Sequence, residues 1–365
     1  MPIDLPPGHF FLPGPTEVHP DVLAAQTRPM IGHRGRDIQE LLAHLQVGLK
    51  QVFFTEQPVI ISTSSATGLM EAAVRNGVAG GRVLSLVNGS FSSRFSEISL
   101  ACGHDTEVWA VDWGQFHDPA ELDERLGGGG FDAVTISHSE TSTGALQDLE
   151  AIASVTRRHE GVMLLIDSVT GVAGTEVRTD DWDLDFVLTG SQKALALPPG
   201  LAFAVASPAM LSRSSQATNK GYYFDLLAIM KSLEAHQTPS TPAISLLFAL
   251  QTQLDRILAE GVEQRWARHT AMRDATIEWV EATRAEGIEV GVYAAEGHRS
   301  PTVTCISLPE GVSGPYVVEE MRKRGWVIGG GYSRLKETTI RIGHMGEHQP
   351  EKLAELLQAL GEVLR

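Results

Sequence analysis

The chain has 365 residues, 42% of them hydrophobic and 20% charged, and carries a net charge of −16 at pH 7. That length suits one large and one small domain, or two of ordinary size. The composition excludes disordered, collagen-like and coiled-coil architectures, and the acidic balance argues against nucleic-acid binding and against anionic membrane surfaces, both of which depend on basic residues.

In chain order, residues 1–20 are proline-rich and read as an irregular N-terminal arm, with no basic-then-apolar leader pattern. Short apolar runs then alternate with amphipathic segments. Strands are expected at Val59–Ser62, Val83–Val87, Val108–Val111, Ala133–Ser137, Met163–Asp167, Phe186–Thr189 and Leu201–Ala206, and helices at Gly68–Val78, Arg94–Cys102 and Leu149–His159. The runs are apolar throughout rather than alternating, as in strands buried on both faces, so an α/β fold with a mainly parallel sheet covered by helices is expected. After Pro242 the pattern changes. Long helices at Ile244–Leu258 and Val262–Ala285 precede strands at Ile288–Tyr293, Thr302–Leu308 and Thr339–Ile342, with helices near Tyr316–Arg324 and Pro350–Leu364. The expected division is an arm (1–20), a large domain (21–242) and a smaller C-terminal α+β domain (243–365).

Two cysteines, Cys102 and Cys305, exclude a disulfide framework and a four-cysteine zinc site, and the histidines show no metal spacing, so no metal is expected. No window reaches about 18 uninterrupted apolar residues. The expectation is a cytoplasmic enzyme.

Candidate chemistry lies at the C-terminal ends of the expected strands, the edge where open α/β sheets bind ligands. Ser62–Gly68 places small hydroxylated residues at a helix start, which suits a phosphate or a plain cap. Asn88–Arg94 carries Phe91, able to lie on an aromatic ligand or to pack in a core. His138–Gly144 is polar directly after an apolar strand. Asp167 closes a buried strand, and Lys193 follows the next one within Gly190-Ser191-Gln192-Lys193-Ala194. These two are either a structural ion pair or an acid and a nucleophilic amine. In the small domain Arg341 stands mid-strand between isoleucines, where its fork could grip a carboxylate.

Together, Glu140-Thr141-Ser142-Thr143-Gly144, Asp167-Ser168-Val169, Gly190 to Ala194 with Pro198-Pro199-Gly200, and Arg341-Ile342-Gly343 resemble a class V, fold-type I pyridoxal-phosphate aminotransferase. The likeness is to the alanine–glyoxylate/serine–glyoxylate (serine–pyruvate) branch and runs over nearly the whole chain. It implies that pyridoxal 5'-phosphate is held by Lys193 as a Schiff base, with Asp167 against the pyridine nitrogen. Phe91 and Val169 take opposite ring faces, and Thr141 bonds near the phenolic oxygen or the substrate. Ser65, Ala66, Thr67 and Gln192 receive the phosphate, while Arg341 and Gly14 face the substrate. Ser240 and Thr241 reach the phosphate of a partner subunit, which implies a homodimer. The implied reaction moves an amino group from alanine or serine to glyoxylate or pyruvate. Aspartate or a phosphonate amine is an alternative donor, with Arg34 a candidate second arginine, and a cysteine desulfurase-like lyase is a further alternative. Ser64 and Ala66 stand where such phosphate loops often carry glycine.

Overall fold

Chain order sets most of the architecture. The computed structural model describes residues 6–365; residues 1–5 of the expected arm lie outside the described residues. Strand β1 (Phe10–Phe11) precedes helices α1 (Pro20–Ala25) and α2 (Arg36–Phe53). An alternating stretch follows: β2 (Val59–Ser62), α3 (Ala66–Gly77), β3 (Arg82–Val87), α4 (Ser90–Ala101), β4 (Thr106–Ala110), α5 (Pro119–Gly127) and β5 (Phe131–Ser137). A short ribbon, β6 (Ser139–Glu140) with β7 (Ala145–Leu146), leads to α6 (Leu149–Thr156), β8 (Met163–Asp167), β9 (Phe186–Gly190) and β10 (Ala202–Ala206). Helices α7 (Pro208–Gln216), α8 (Leu226–Glu234), α9 (Ile244–Glu260) and α10 (Val262–Ala285) come next. The C-terminal part holds β11 (Gly291–Val292), β12 (Val303–Ser307), α11 (Gly314–Lys323), β13 (Val327–Gly330), β14 (Thr339–Gly343) and α12 (Pro350–Leu364).

The seven expected apolar runs form one sheet in the order β2-β10-β9-β8-β5-β3-β4. Its pairings are parallel from β9 to β4, whereas β10 is antiparallel to both neighbours. Six strands therefore point the same way and deliver their C-terminal ends to one edge. Successive side chains of a strand face opposite sides. In β8 Leu164 and Ile166 join the core under α2, α6 and α9, while Met163 and Leu165 join the core under α3, α7 and α8. Both faces are covered over the inner strands, which is why their runs lack polar alternation, while the edge strand β4 leaves Val108 exposed.

A second sheet, ordered β1-β13-β14-β12-β11, packs its apolar side against α10, α11 and α12. The arm expected to be irregular supplies its edge strand: Phe10 and Phe11 pair in parallel with Val327 and Ile328. Phe11 is fully buried there, a contribution of about 1.5–3 kcal/mol, and His9 stacks on Trp326 with ring centroids 3.9 Å apart. This docking fixes the path of the segment that follows, Leu12 to Thr16, across to the first sheet. Helix α9, just past residue 242, lays Leu247, Leu250 and Leu254 into the core of the large sheet.

Candidate active site

The loops after β2, β3, β5, β8 and β9 converge on a cavity of about 280 Å³, close to the lower end of small-molecule sites at roughly 300 Å³. Its wall takes Ser65, Ala66 and Thr67 after β2, Phe91 and Arg94 after β3, and Ser139 and Thr141 after β5. Asp167 and Val169 follow from β8, and Gln192 and Lys193 from β9; Gly14 of the N-terminal segment and Tyr332 of the second sheet close it. An open cleft of about 700 Å³ where α2 meets the α9–α10 junction is larger, but Lys50 is the one cation in its wall, among the acids Glu56, Asp180, Asp181 and Glu263.

Lys193 lies past the end of β9. Its Nζ donates to the carbonyl of Pro13 at 2.8 Å, and among the described residues it forms no ion pair, so the structural-pair alternative with Asp167 is not realised. Burial, then the Arg341 and Arg94 guanidinium groups, push its pKa down to about 8; the Asp167 carboxylate works the other way. Asp167 is 5% exposed. It accepts the backbone N–H of Val169 at 2.9 Å and the Ser137 hydroxyl at 3.2 Å. Burial outweighs these bonds and holds its carboxyl at about 6. An acid and an amine that form no ion pair with each other or with any other described residue thus face one cavity.

Gly14 makes the approach of the N-terminal segment possible. Its φ is +115°, and a Cβ there would overlap Cδ and Nζ of Lys193. Gly14→Ala should therefore displace the amine, lower turnover at least tenfold and lower the melting temperature by a few degrees, since φ strain costs about 1–3 kcal/mol. Steady-state rates and thermal melts of the purified variant check this.

At the other end, Ser65 caps α3 from an extended conformation (φ −83°, ψ 162°) without a side-chain bond to the first turn. The leading N–H groups of a twelve-residue helix therefore open into the cavity, the arrangement that attracts anions. Ser64 and Ala66 need no left-handed backbone here: neither has a positive φ. Beside it, α4 is anchored by Glu140, which is fully buried. Its carboxylate accepts the N–H groups of Phe91 and Ser92 and the hydroxyls of Ser92 and Ser142 at 2.6–3.0 Å. That sets Phe91 and Arg94 on the cavity side of the helix.

Arg341 sits in the middle of β14, not in the cavity wall itself. Its Nε donates to the Gly330 carbonyl at 2.8 Å and Nη1 to the Thr141 carbonyl at 3.1 Å. Three of its five N–H groups are uncommitted, and no carboxylate neutralises it among the described residues. Ser240 and Thr241 are exposed and lie outside the cavity; Ser240 borders a small neighbouring cleft with Ser62, Thr63 and Tyr223. Arg34 is also exposed, leaning on the Pro239 carbonyl at 3.5 Å, so it does not supply a second arginine to this cavity. Arg94 and Tyr332 do stand there, and neither is assigned a role from sequence. His138 and His344 are buried on hydrogen bonds to Ser168 and Thr276, and burial keeps both neutral. Cys305 is buried in β12 with its thiol pushed up to about 11, which removes it as a nucleophile near neutral pH.

Residues 16–341 match the family model for class V aminotransferases. A Synechococcus protein named as the small subunit of a soluble hydrogenase is 36% identical over 97% of this chain and 92% of its own length. Among solved structures, an aspartate aminotransferase of subgroup IV from Thermus thermophilus is 34% identical, with a TM-score of 0.88 and coverage of 97% and 98%. An alanine–glyoxylate aminotransferase from Nostoc is 29% identical, with a TM-score of 0.92 and coverage of 100% and 97%.

Proposed function

Since the chain belongs to the class V aminotransferases, whose cofactor is pyridoxal phosphate, we propose that it transfers the amino group of a small amino acid, alanine or serine, to glyoxylate or pyruvate. The carrying observation is the pairing of Lys193 and Asp167 on one cavity, each ionisable and neither neutralised by a neighbour. An unpaired buried acid fits a protonated pyridine nitrogen, and the open first turn of α3 fits a phosphate. When bound, pyridoxal phosphate supplies an electrophilic carbon for an amine and a sink for the electron pair left when Cα loses its proton.

The chain's own groups divide the rest of the work. Lys193 attaches the cofactor, then serves as the base and acid at Cα. Asp167 stays ionised against the ring nitrogen. Ser65, Ala66, Thr67 and Gln192 hold the phosphate, Phe91 and Val169 flank the ring, and Thr141 positions the substrate side. Arg341 offers its free N–H groups to the α-carboxylate, which orients the Cα–H bond. Ser240 and Thr241, exposed and outside their own cavity, serve the neighbouring copy in a homodimer. The small size of the cavity and its wall around Gly14 favour donors with short side chains.

A half-reaction tests this reading. Holoenzyme mixed with alanine or serine and no acceptor should convert its cofactor from the aldehyde to the amine form, followed by absorbance. Absence of conversion with every amino acid tried would reject it. The Lys193 amine adds a pH prediction. A pKa of about 8 leaves roughly one amine in ten neutral at pH 7, against about one in several thousand at the ordinary value. Cofactor capture by the apoenzyme should thus accelerate through about pH 8 and level off above it; a rise continuing to pH 10 would show the amine to be unperturbed.

A further inference from the structure

Arg94 is the positive charge that this division of labour leaves unused. Its guanidinium lines the cavity, lies 4.9 Å from the centre of the Phe91 ring, and donates from Nη2 to the Tyr332 hydroxyl at 3.3 Å. No acid lies within ion-pair distance of it among the described residues. The nearby Glu140 is consumed by the N-terminus of α4. The Arg341 guanidinium lies 5.3 Å from the centre of the same Tyr332 ring. Two arginines, from α4 and from β14, thus meet on one phenol, and neither has an anion. One α-carboxylate engages one fork. A second unpaired, half-buried cation lining the same cavity can take a second anionic group on the ligand.

We infer that Arg94 receives the side-chain carboxylate of a four-carbon dicarboxylic amino acid, extending the donor range of the site to aspartate while Arg341 holds the α-carboxylate. Both guanidinium groups reach the same side chain, Tyr332, one at its hydroxyl and one at its ring, so the site offers two forks to a short ligand with two carboxylates. This rests on the aminotransferase reading above and names a specificity-determining residue within it. Tyr332 orients the Arg94 fork through its hydroxyl.

The test compares aspartate with asparagine, its neutral isostere, and with alanine, using glyoxylate as acceptor and the intact holoenzyme. The wild type should prefer aspartate to asparagine by about tenfold or more. Arg94→Gln should lower the ratio of kcat/KM for aspartate over alanine by about ten- to a hundredfold, the range of a lost charge-assisted hydrogen bond. The loss should fall mainly in KM. Arg94→Lys should retain part of the preference, since an ammonium keeps the charge without the fork. Succinate, a dicarboxylate without an amine, should inhibit the wild type competitively and Arg94→Gln at least tenfold more weakly. A thermal melt shows whether the variants fold. Equal losses for aspartate and alanine would reduce Arg94 to a support for Tyr332 or for the Lys193 amine and overturn the inference. So would a wild type that accepts asparagine as readily as aspartate. A wild type active on alanine but not on aspartate sinks this inference alone, whereas one inactive on every amino acid sinks the aminotransferase reading with it.

Discussion

Lys193→Ala should abolish transamination, with turnover reduced by at least about three orders of magnitude. General acid–base catalysis alone is worth about 10²–10⁴-fold, and the variant also loses covalent attachment of the cofactor. Borohydride treatment followed by mass spectrometry should find the cofactor fixed to the wild-type chain and absent from the variant. The fold should not suffer. Burial holds the Lys193 pKa below that of a free lysine, so the folded chain disfavours its charged form. Stability from this group is full above the ordinary lysine pKa and is lost as pH falls through about 8. At pH 7 the charged amine costs the fold up to about 3 kcal/mol, an upper bound since water reaches the cavity. Alanine removes that cost along with the hydrogen bond to Pro13. The melting temperature of the cofactor-free variant should equal or exceed that of the wild type. A variant that unfolds, or one that keeps normal turnover, would contradict the role.

Most of the site residues legible in the sequence share one property: they close an apolar strand or follow one within a few positions, Arg341 in mid-strand being the exception that its charge betrays. Asp167 and Lys193 are chemically conspicuous because they interrupt such runs, and parallel strands bring their ends together without further information. Arg94 is different. It reads as an ordinary polar residue of an amphipathic helix, and only the clamp of Glu140 on the first turn of α4, formed across 48 residues of sequence, turns it to the cavity. Tyr332 is illegible for a related reason: it lies 238 residues from Arg94, on a loop of the other sheet. Strand β1 is two residues long, and its pairing with β13 leaves no periodicity to read.

Other differences had a signal. No element is expected between residues 21 and 58, yet Ile38, Leu41, Leu42, Leu45, Leu49 and Val52 recur at helical spacing and form the buried face of α2. The reversed direction of β10 left no such mark, because a strand buried on both faces has the same apolar composition whichever way it runs. Residues 288–293 read as a six-residue strand but pair only at Gly291 and Val292, since a β-ladder depends on a neighbour and not on composition alone.

Asp167→Asn should separate activity from stability more sharply than any other substitution in this protein. Asparagine keeps the size of the side chain and an oxygen for the Val169 N–H, and its amide can donate to the Ser137 hydroxyl. It cannot carry the charge that keeps a pyridine nitrogen protonated. Loss of that charge complementarity should cut turnover by about 10²–10³-fold or more, in line with the removal of a preorganised electrostatic partner elsewhere, while cofactor remains covalently attached through Lys193. The cofactor-free protein should respond in the opposite sense. Burial raises this carboxyl from its ordinary value near 4 to about 6. Its contribution to stability is full below about pH 4 and is lost as pH rises through about 6. Ionised Asp167 therefore costs the empty fold up to about 3 kcal/mol at neutral pH, a cost that the neutral amide avoids. The apo variant should melt several degrees higher than apo wild type at pH 7.5, and the difference should shrink below pH 4. Pyridoxal phosphate should raise the melting temperature of the wild type more than that of the variant, because only the carboxylate gains a cation when the cofactor binds. An apo variant less stable than the wild type at pH 7.5, or one with undiminished turnover, would show that Asp167 serves the fold instead of the ring nitrogen.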